Sequence, residues 1–261
     1  MRLILFLSVF FVSIFRISAQ EISKKDARSL AVKDYLYNHE LSGGIKIQTN
    51  GLSLYLTKGW IKNIYKTHLV QAEYQYFFNY KDKLIATNPG YIQSGRKYYY
   101  GLQNRFHAIR LSYGFERALA DKAEKNGVRL SFIGFLGFSF GLMKPYYLEM
   151  VKYRDTITGN YVTENVKYNG DGVEDRFLSK DSIYQAATFY KGMNQIIPTF
   201  GAHVKAGLNF DWGTKDRFVK ALEVGVLVDV FYRKVPIYVN NDANSFIQPS
   251  IYLGFHFGKR W

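Results

Sequence analysis

Residues 128–142 read VRLSFIGFLGFSFGL, and the chemistry of alternate positions in this stretch decides the fold. Val128, Leu130, Phe132, Gly134, Leu136, Phe138, Phe140 and Leu142 fall on one side of an extended chain. Arg129, Ser131, Ile133, Phe135, Gly137, Ser139 and Gly141 fall on the other, which is smaller and more polar. Successive side chains of a strand point to opposite faces, so a period of two predicts a β-strand with unlike sides.

Five further segments repeat the pattern. Val70, Ala72, Tyr74, Tyr76 and Phe78 alternate with Gln71, Glu73, Gln75 and Phe77. His107, Ile109, Leu111, Tyr113 and Phe115 alternate with Ala108, Arg110, Ser112, Gly114 and Glu116. Phe200 to Trp212, Leu222 to Tyr232 and Ile247 to Phe257 behave in the same way. The strands these segments imply, 62–79, 98–117, 127–150, 197–213, 218–233 and 246–258, are each 13 residues or longer. A soluble strand usually stops at about 5–6 residues, whereas a strand crossing a bilayer needs about 9–11. Length therefore points to a membrane.

Composition agrees. The chain holds 22 Tyr and 21 Phe, yet its mean hydropathy is −0.18. A barrel in lipid shows rings outward and keeps polar residues inside, which reconciles the two numbers. After residue 20 no stretch of 18 uninterrupted apolar residues occurs, so a helical span is not expected. Lipid leaves no partner for an unpaired backbone amide, so the remaining way across is a closed sheet.

The N-terminus predicts export. Arg2, the apolar run from Leu3 to Phe15 and the small residues Ser18-Ala19 before Gln20 form a cleavable signal peptide over 1–20. Residues 21–34 then read as an N-terminal periplasmic segment, and 35–261 as the barrel. No cysteine is present, so nothing is disulfide-stapled. The formal charge is +14; without Arg2 and Arg16 it is 33 basic against 21 acidic residues, or +12. For an exported chain this balance fits lipid phosphates or an acidic protein better than nucleic acid, and it reads equally as a dispersed solvated surface with no partner.

Strand number follows from connection length, because barrels of this kind have short turns at one end and longer loops at the other. Strands are expected near 62–79, 98–117, 127–150, 197–213, 218–233 and 246–258. Two more, 35–48 and 51–60, are expected to be joined by a turn at Asn50-Gly51, although residues 43–56 read as well as a single strand. The expectation is an all-β fold: one antiparallel up-and-down transmembrane barrel of about eight strands, with a long loop at 151–196. Within that loop, Ser179 to Met193 has some helical spacing.

The terminal segment SFIQPSIYLGFHFGKRW (245–261) is similar to the C-terminal signal read by the barrel-assembly machinery, through Phe255, Phe257 and Trp261. With the Ser-Ala-Gln signal end and the phrases GGIKIQTNG (43–51) and LMKPYYLE (142–149), the chain resembles small outer-membrane barrels of Bacteroidota, the group that includes PorT-like proteins. The resemblance implies an integral outer-membrane protein of about eight strands. It also implies a subunit role in secretion or outer-membrane assembly complexes, with outer-membrane lipid and lipopolysaccharide, the assembly machinery and complex subunits as partners. It carries over no catalytic residue.

Face parity sends Glu73, Arg110, Glu116, His203, Lys205, Asp211, Glu223, Asp229, Arg233 and His256 into the lumen. An eight-stranded barrel is barely wide enough for its own side chains, so opposite charges there are expected to pair. A structural plug of ion pairs is one reading; an ion path or narrow ligand cavity is the alternative. His39, His68, His107, His203 and His256 show no HxxxH or HxH spacing, so no metal is expected. A lipid-modifying enzyme using His203 or His256 is a third reading, without a supporting motif. The acidic stretch 169–175 resembles part of a calcium loop but lacks the twelfth-position carboxylate, and reads as an exposed turn. No cofactor is expected.

Overall fold

In the computed structural model, residues 37–63, 65–78, 84–86, 95–122, 127–154, 161–170, 174–213, 217–239 and 244–261 are described. The expected signal peptide and periplasmic segment, 1–34, lie outside them. Eight long strands make the wall: β1 (His39–Gln48), β2 (Gly51–Asn63), β3 (Lys66–Phe77), β6 (Asn104–Ala120), β7 (Arg129–Pro145), β11 (Ile197–Asp211), β12 (Phe218–Phe231) and β13 (Ile247–Arg260). They form a closed antiparallel barrel in the order β1-β13-β12-β11-β7-β6-β3-β2. The seam is the pairing of β1 with β13, in which Ile45 faces Phe255. Closure leaves no sheet edge, the condition for a strand assembly to sit in hydrocarbon.

The polarity of the wall is inverted relative to a soluble domain. Leu56, Leu111, Leu136, Phe138, Ile251 and Phe257 are exposed on the outside, Phe138 to 81%. Lys46, Gln71, Glu73, Arg110, Lys205 and Asp229 are buried inside. No helix among the described residues is long and apolar enough to cross a membrane, which says nothing of strands.

Residues between the wall strands build a second body at the long-loop end. There β4 (Leu84–Ile85) pairs with β5 (Tyr98–Tyr99), while β10 (Ile183–Ala186), β8 (Tyr147–Arg154) and β9 (Tyr161–Lys167) form a three-stranded sheet. A short helix, α1 (Glu174–Leu178), lies between β9 and β10. Tyr98, Leu102, Tyr146, Leu148, Met150, Phe177, Ile183, Ala186 and Val239 bury their side chains together there. This is a folded cap with its own apolar core.

Several expected boundaries are corrected. The expected strand 98–117 is the small β5 plus β6, which begins only at Asn104. The run 127–150 is two strands: β7 ends at Pro145, which has no N–H to donate. Tyr146 then turns its ring into the cap core, and β8 leaves the wall. Ser179 to Met193 is not helical. Ile183 to Ala186 pair with β8 as a strand, burying Ile183 and Ala186 in the cap, and the helix lies upstream. Four apolar positions were too few to separate the two periods once tertiary packing chose. Near the N-terminus, β1 and β2 are two strands, but Gln48 pairs with Gly51, so the two-residue turn is Thr49 and Asn50. The second strand also reaches Asn63, and the third starts at Lys66.

Candidate functional site

The barrel interior is stacked in tiers. At the long-loop end Phe77, Phe106 and Phe231 close the bore, with ring centroids 4.7 Å apart for the first pair and 5.2 Å for the second. Ala108, Met143 and Val235 fill the space around them. This apolar stopper sits where the wall strands meet the cap.

Below it lies an ion-pair tier centred on Arg110. Its Nε and Nη2 donate to the two carboxylate oxygens of Asp229 at 2.9 and 2.6 Å, and its Nη1 donates to Glu73 at 2.8 Å. Nη2 also donates to Gln75. Glu73 in turn accepts from Lys46 at 2.6 Å and from Gln48 at 3.0 Å. A planar guanidinium suits this role because its fixed fork meets two carboxylates at once. Lys205 donates to Gln71 at 2.6 Å and pairs with Glu223 at 3.2 Å. The ammonium of Lys46 lies 4.0 Å from the Tyr55 ring centre, and that of Lys205 4.0 Å from the Phe135 ring centre. Such faces favour a desolvated cation.

The lowest tier lies at the short-turn end. Arg260 donates to Glu40 at 2.7 Å and to Asp211 at 3.2 Å. Tyr55 and His256 share a hydrogen bond of 3.0 Å. Between these tiers is a cavity of about 20 Å³, lined by Glu40, Glu116, Asn209, Glu223 and His256 among others. That is room for about one water molecule.

Ser139, His203 and Asp229 meet in the ion-pair tier, yet their bonding differs from that of a nucleophilic triad. The Ser139 hydroxyl donates to Asp229 at 2.7 Å and lies 3.0 Å from His203 Nδ1, so serine rather than histidine holds the carboxylate. Among the described residues, no cluster of three or more His, Asp or Glu is arranged to hold a metal ion. Part of the acidic stretch 169–175 lies outside the described residues.

The cap is the other candidate surface. Arg96 ties it together, donating to Glu149 at 2.6 Å and to the Ala186 carbonyl at 2.8 Å. Burial raises the phenol pKa of both Tyr98 and Tyr146, so both stay protonated as the cap packs over the bore.

No known protein family matches the chain, and no curated protein matches it. The expected Bacteroidota-type, PorT-like group therefore rests on the quoted phrases alone. Among solved structures the chain is similar to Ail, the attachment invasion locus protein of Yersinia pestis, at 10% identity over 87% of this chain and 100% of that one, with a TM-score of 0.41. It is similar to Neisserial surface protein A at 9% identity, 85% and 95% coverage and a TM-score of 0.39. It is also similar to the N-terminal β-barrel domain of Pseudomonas aeruginosa OprF, at 8% identity, 86% and 98% coverage and a TM-score of 0.34. Likenesses this distant carry no argument, and the fold rests on the strand pairing of this chain.

Of the residues read as lumenal, Glu73, Arg110, His203, Lys205, Glu223 and Asp229 come together in one network. Glu116, Asp211 and His256 lie nearer the short-turn end. Arg233 does not point into the lumen. It is exposed and donates to the Pro198 carbonyl at 2.6 Å, because β12 ends at Phe231 and parity no longer applies beyond it. Phe255 and Phe257 face outward, and the Trp261 ring lies 6.0 Å from that of His39. Lys46, Tyr55, Gln71, Glu40 and Arg260 were not singled out as site residues. Parity from Ile45 and Ile47 would have placed Lys46 inside, and parity from His256 would have placed Arg260 there.

Proposed function

We propose that this chain is a non-enzymatic integral barrel of a bacterial outer membrane, whose folded cap is a docking platform for protein subunits of a secretion or assembly complex. Support for the membrane comes from the exposed apolar wall around a charged interior, the reverse of a soluble barrel. The short-turn end, holding both chain termini of the barrel, then faces the periplasm and the cap faces outward. Phe255, Phe257 and Trp261 serve as the signal for the assembly machinery.

The observation that carries the platform reading is the bore itself. Among the described residues a stopper of three Phe rings stands above a network of paired charges in the bore, while the loops form a body with nine buried core residues. Loops without a task are seldom packed in this way. The PorT-like style of the sequence supports the same reading.

Mild crosslinking of cells carrying a tagged chain, followed by purification from the outer membrane, tests it. Crosslinks from cap residues such as Tyr153 or Lys180 to one discrete protein are expected. A chain that comes out alone under every crosslinker length would overturn it.

A further inference from the structure

Arg105 on β6 and Lys144 on β7 are direct cross-strand partners. Their neighbours Phe106 and Met143 point into the bore, so both side chains leave the wall on its outer face, where Lys144 is 7% exposed beneath Phe189. Like charges placed opposite each other across a ladder destabilise it. Inside the bore cations are matched: Arg110 has Asp229 and Glu73, Lys205 has Glu223, and Arg260 has Glu40 and Asp211. Arg105 and Lys144 face no carboxylate among the described residues. Glu149, on the adjoining β8, is already taken by Arg96 and Gln185.

What surrounds the two cations is aromatic. The Arg105 guanidinium carbon lies 5.3 Å from the Tyr146 ring centre and 6.0 Å from that of Tyr99. The Lys144 ammonium lies 3.8 Å from the Phe189 ring centre and donates to the Phe189 carbonyl. Arg105 Nε is buried with no hydrogen-bond partner. The rest of the Arg105 guanidinium is hydrogen-bonded to Tyr146, a neutral group, so the two neighbouring cations form a donor set that lacks its anion.

Position along the wall says which anion. Towards the short-turn end the same outer face carries Leu142, Phe140, Phe138, Ile109 and Leu111, part of the apolar belt. Above the cations stands the cap, from which Phe189 and Tyr190 project with 60% and 78% of their surfaces exposed. The cations therefore lie at the upper border of the belt. In a barrel of the proposed orientation that is the depth of the outer-leaflet headgroups.

We propose that Arg105 and Lys144 form a binding site for a phosphate group of an outer-leaflet lipid, with Phe189 and Tyr190 resting against that lipid's upper acyl carbons. The site rests on the outer-membrane reading above. The phosphate oxygens accept from Arg105 and Lys144 together, which cancels the repulsion between them. Occupation ties the cap to the membrane surface, since Lys144 also holds the 189 segment through its carbonyl.

The test uses the full mature chain folded in a phosphate-free glycosidic detergent, with purified lipid A, dephosphorylated lipid A and inorganic phosphate as three separate probes. Adducts are counted by native mass spectrometry, and the melting temperature is followed by the heat-modifiable gel shift. The wild-type chain is expected to retain lipid A and to melt higher with it, and to respond to neither other probe. Lys144→Gln and Arg105→Gln are expected to melt higher than wild type without lipid, because the like-charge contact is gone. Each should bind lipid A about tenfold or more weakly, the loss of one charge-assisted hydrogen bond, while Arg105→Lys keeps most of the binding.

Unchanged lipid A binding in both Gln variants overturns the site. Equal retention of dephosphorylated lipid A overturns the role of phosphate, and an equal response to inorganic phosphate overturns the lipid. If a Gln variant does not fold, the wild-type discrimination among the three probes still decides. Insertion of the wild-type chain into vesicles, scored by protease protection of the wall strands, is read separately. Its failure would sink the outer-membrane reading, whereas failure of lipid A binding alone would sink only the site.

Discussion

Arg110 is the residue on which the interior depends. It satisfies Asp229, Glu73 and Gln75 at once, and it is fully buried. Removing one partner of a buried pair leaves the other charge uncompensated, which costs about 3–5 kcal/mol. Arg110→Ala is expected to lower stability by that order, read as a shift in the urea midpoint of vesicle-folded protein. Adding Asp229→Asn to it should restore part of the loss, since that stranded carboxylate is then gone, whereas Glu73 still pairs with Lys46. Arg233→Ala, at the residue that parity wrongly sent inside, should change the midpoint by no more than about 0.5 kcal/mol. Equal effects at the two arginines would contradict the placement of both.

Among the elements, the hairpin of β1 and β2 shows how a local signal was displaced by packing. Asn-Gly favours the two central positions of a hairpin turn, yet here Gly51 opens β2 and Thr49 and Asn50 make the turn. Gly51 has φ of 153°, and a Cβ on it would stand 2.1 Å from the Tyr76 carbonyl oxygen of β3. The glycine is there for the close approach of the neighbouring strand. Gly51→Ala is expected to cost about 1–3 kcal/mol and to slow folding into vesicles, both visible as a smaller heat-modifiable fraction; wild-type behaviour would refute the contact. The cap is the second element with a consequence of its own. Its phenols Tyr98 and Tyr146 have pKa values raised above 10.0 by burial. They stay neutral when unfolded phenols ionise, so cap stability is present below about pH 10 and declines as pH rises past it. Limited proteolysis of cap segments should therefore accelerate above that pH before the wall is cut, and a flat pH profile would count against the buried phenols.

At the scale of the whole molecule, the wall and the cap divide the work. The wall offers hydrocarbon an apolar belt and keeps its charges inside in pairs, which fixes the register of eight strands without opening a channel. Planar bilayers holding the wild-type chain should show no steady unit conductance. A stable current comparable to that of a water-filled bore would mean that the Phe77, Phe106 and Phe231 stopper and the Arg110 network part under voltage. It would favour the small-pore reading over the docking platform.

Alternation at period two, over runs longer than a soluble strand uses, was enough to predict an all-β barrel of about eight strands and to send the buried charges around Arg110 inward. That information is local, because each side chain's face follows from its neighbours along the chain. Who pairs with whom is not local. That Arg110 takes Asp229 from β12 and Glu73 from β3, that Lys46 joins them from the hairpin with the weakest pattern, and that the 151–196 link packs into a cap with a core of its own were settled only by tertiary contacts. Those contacts join residues up to 119 positions apart, and no periodicity within one segment records them.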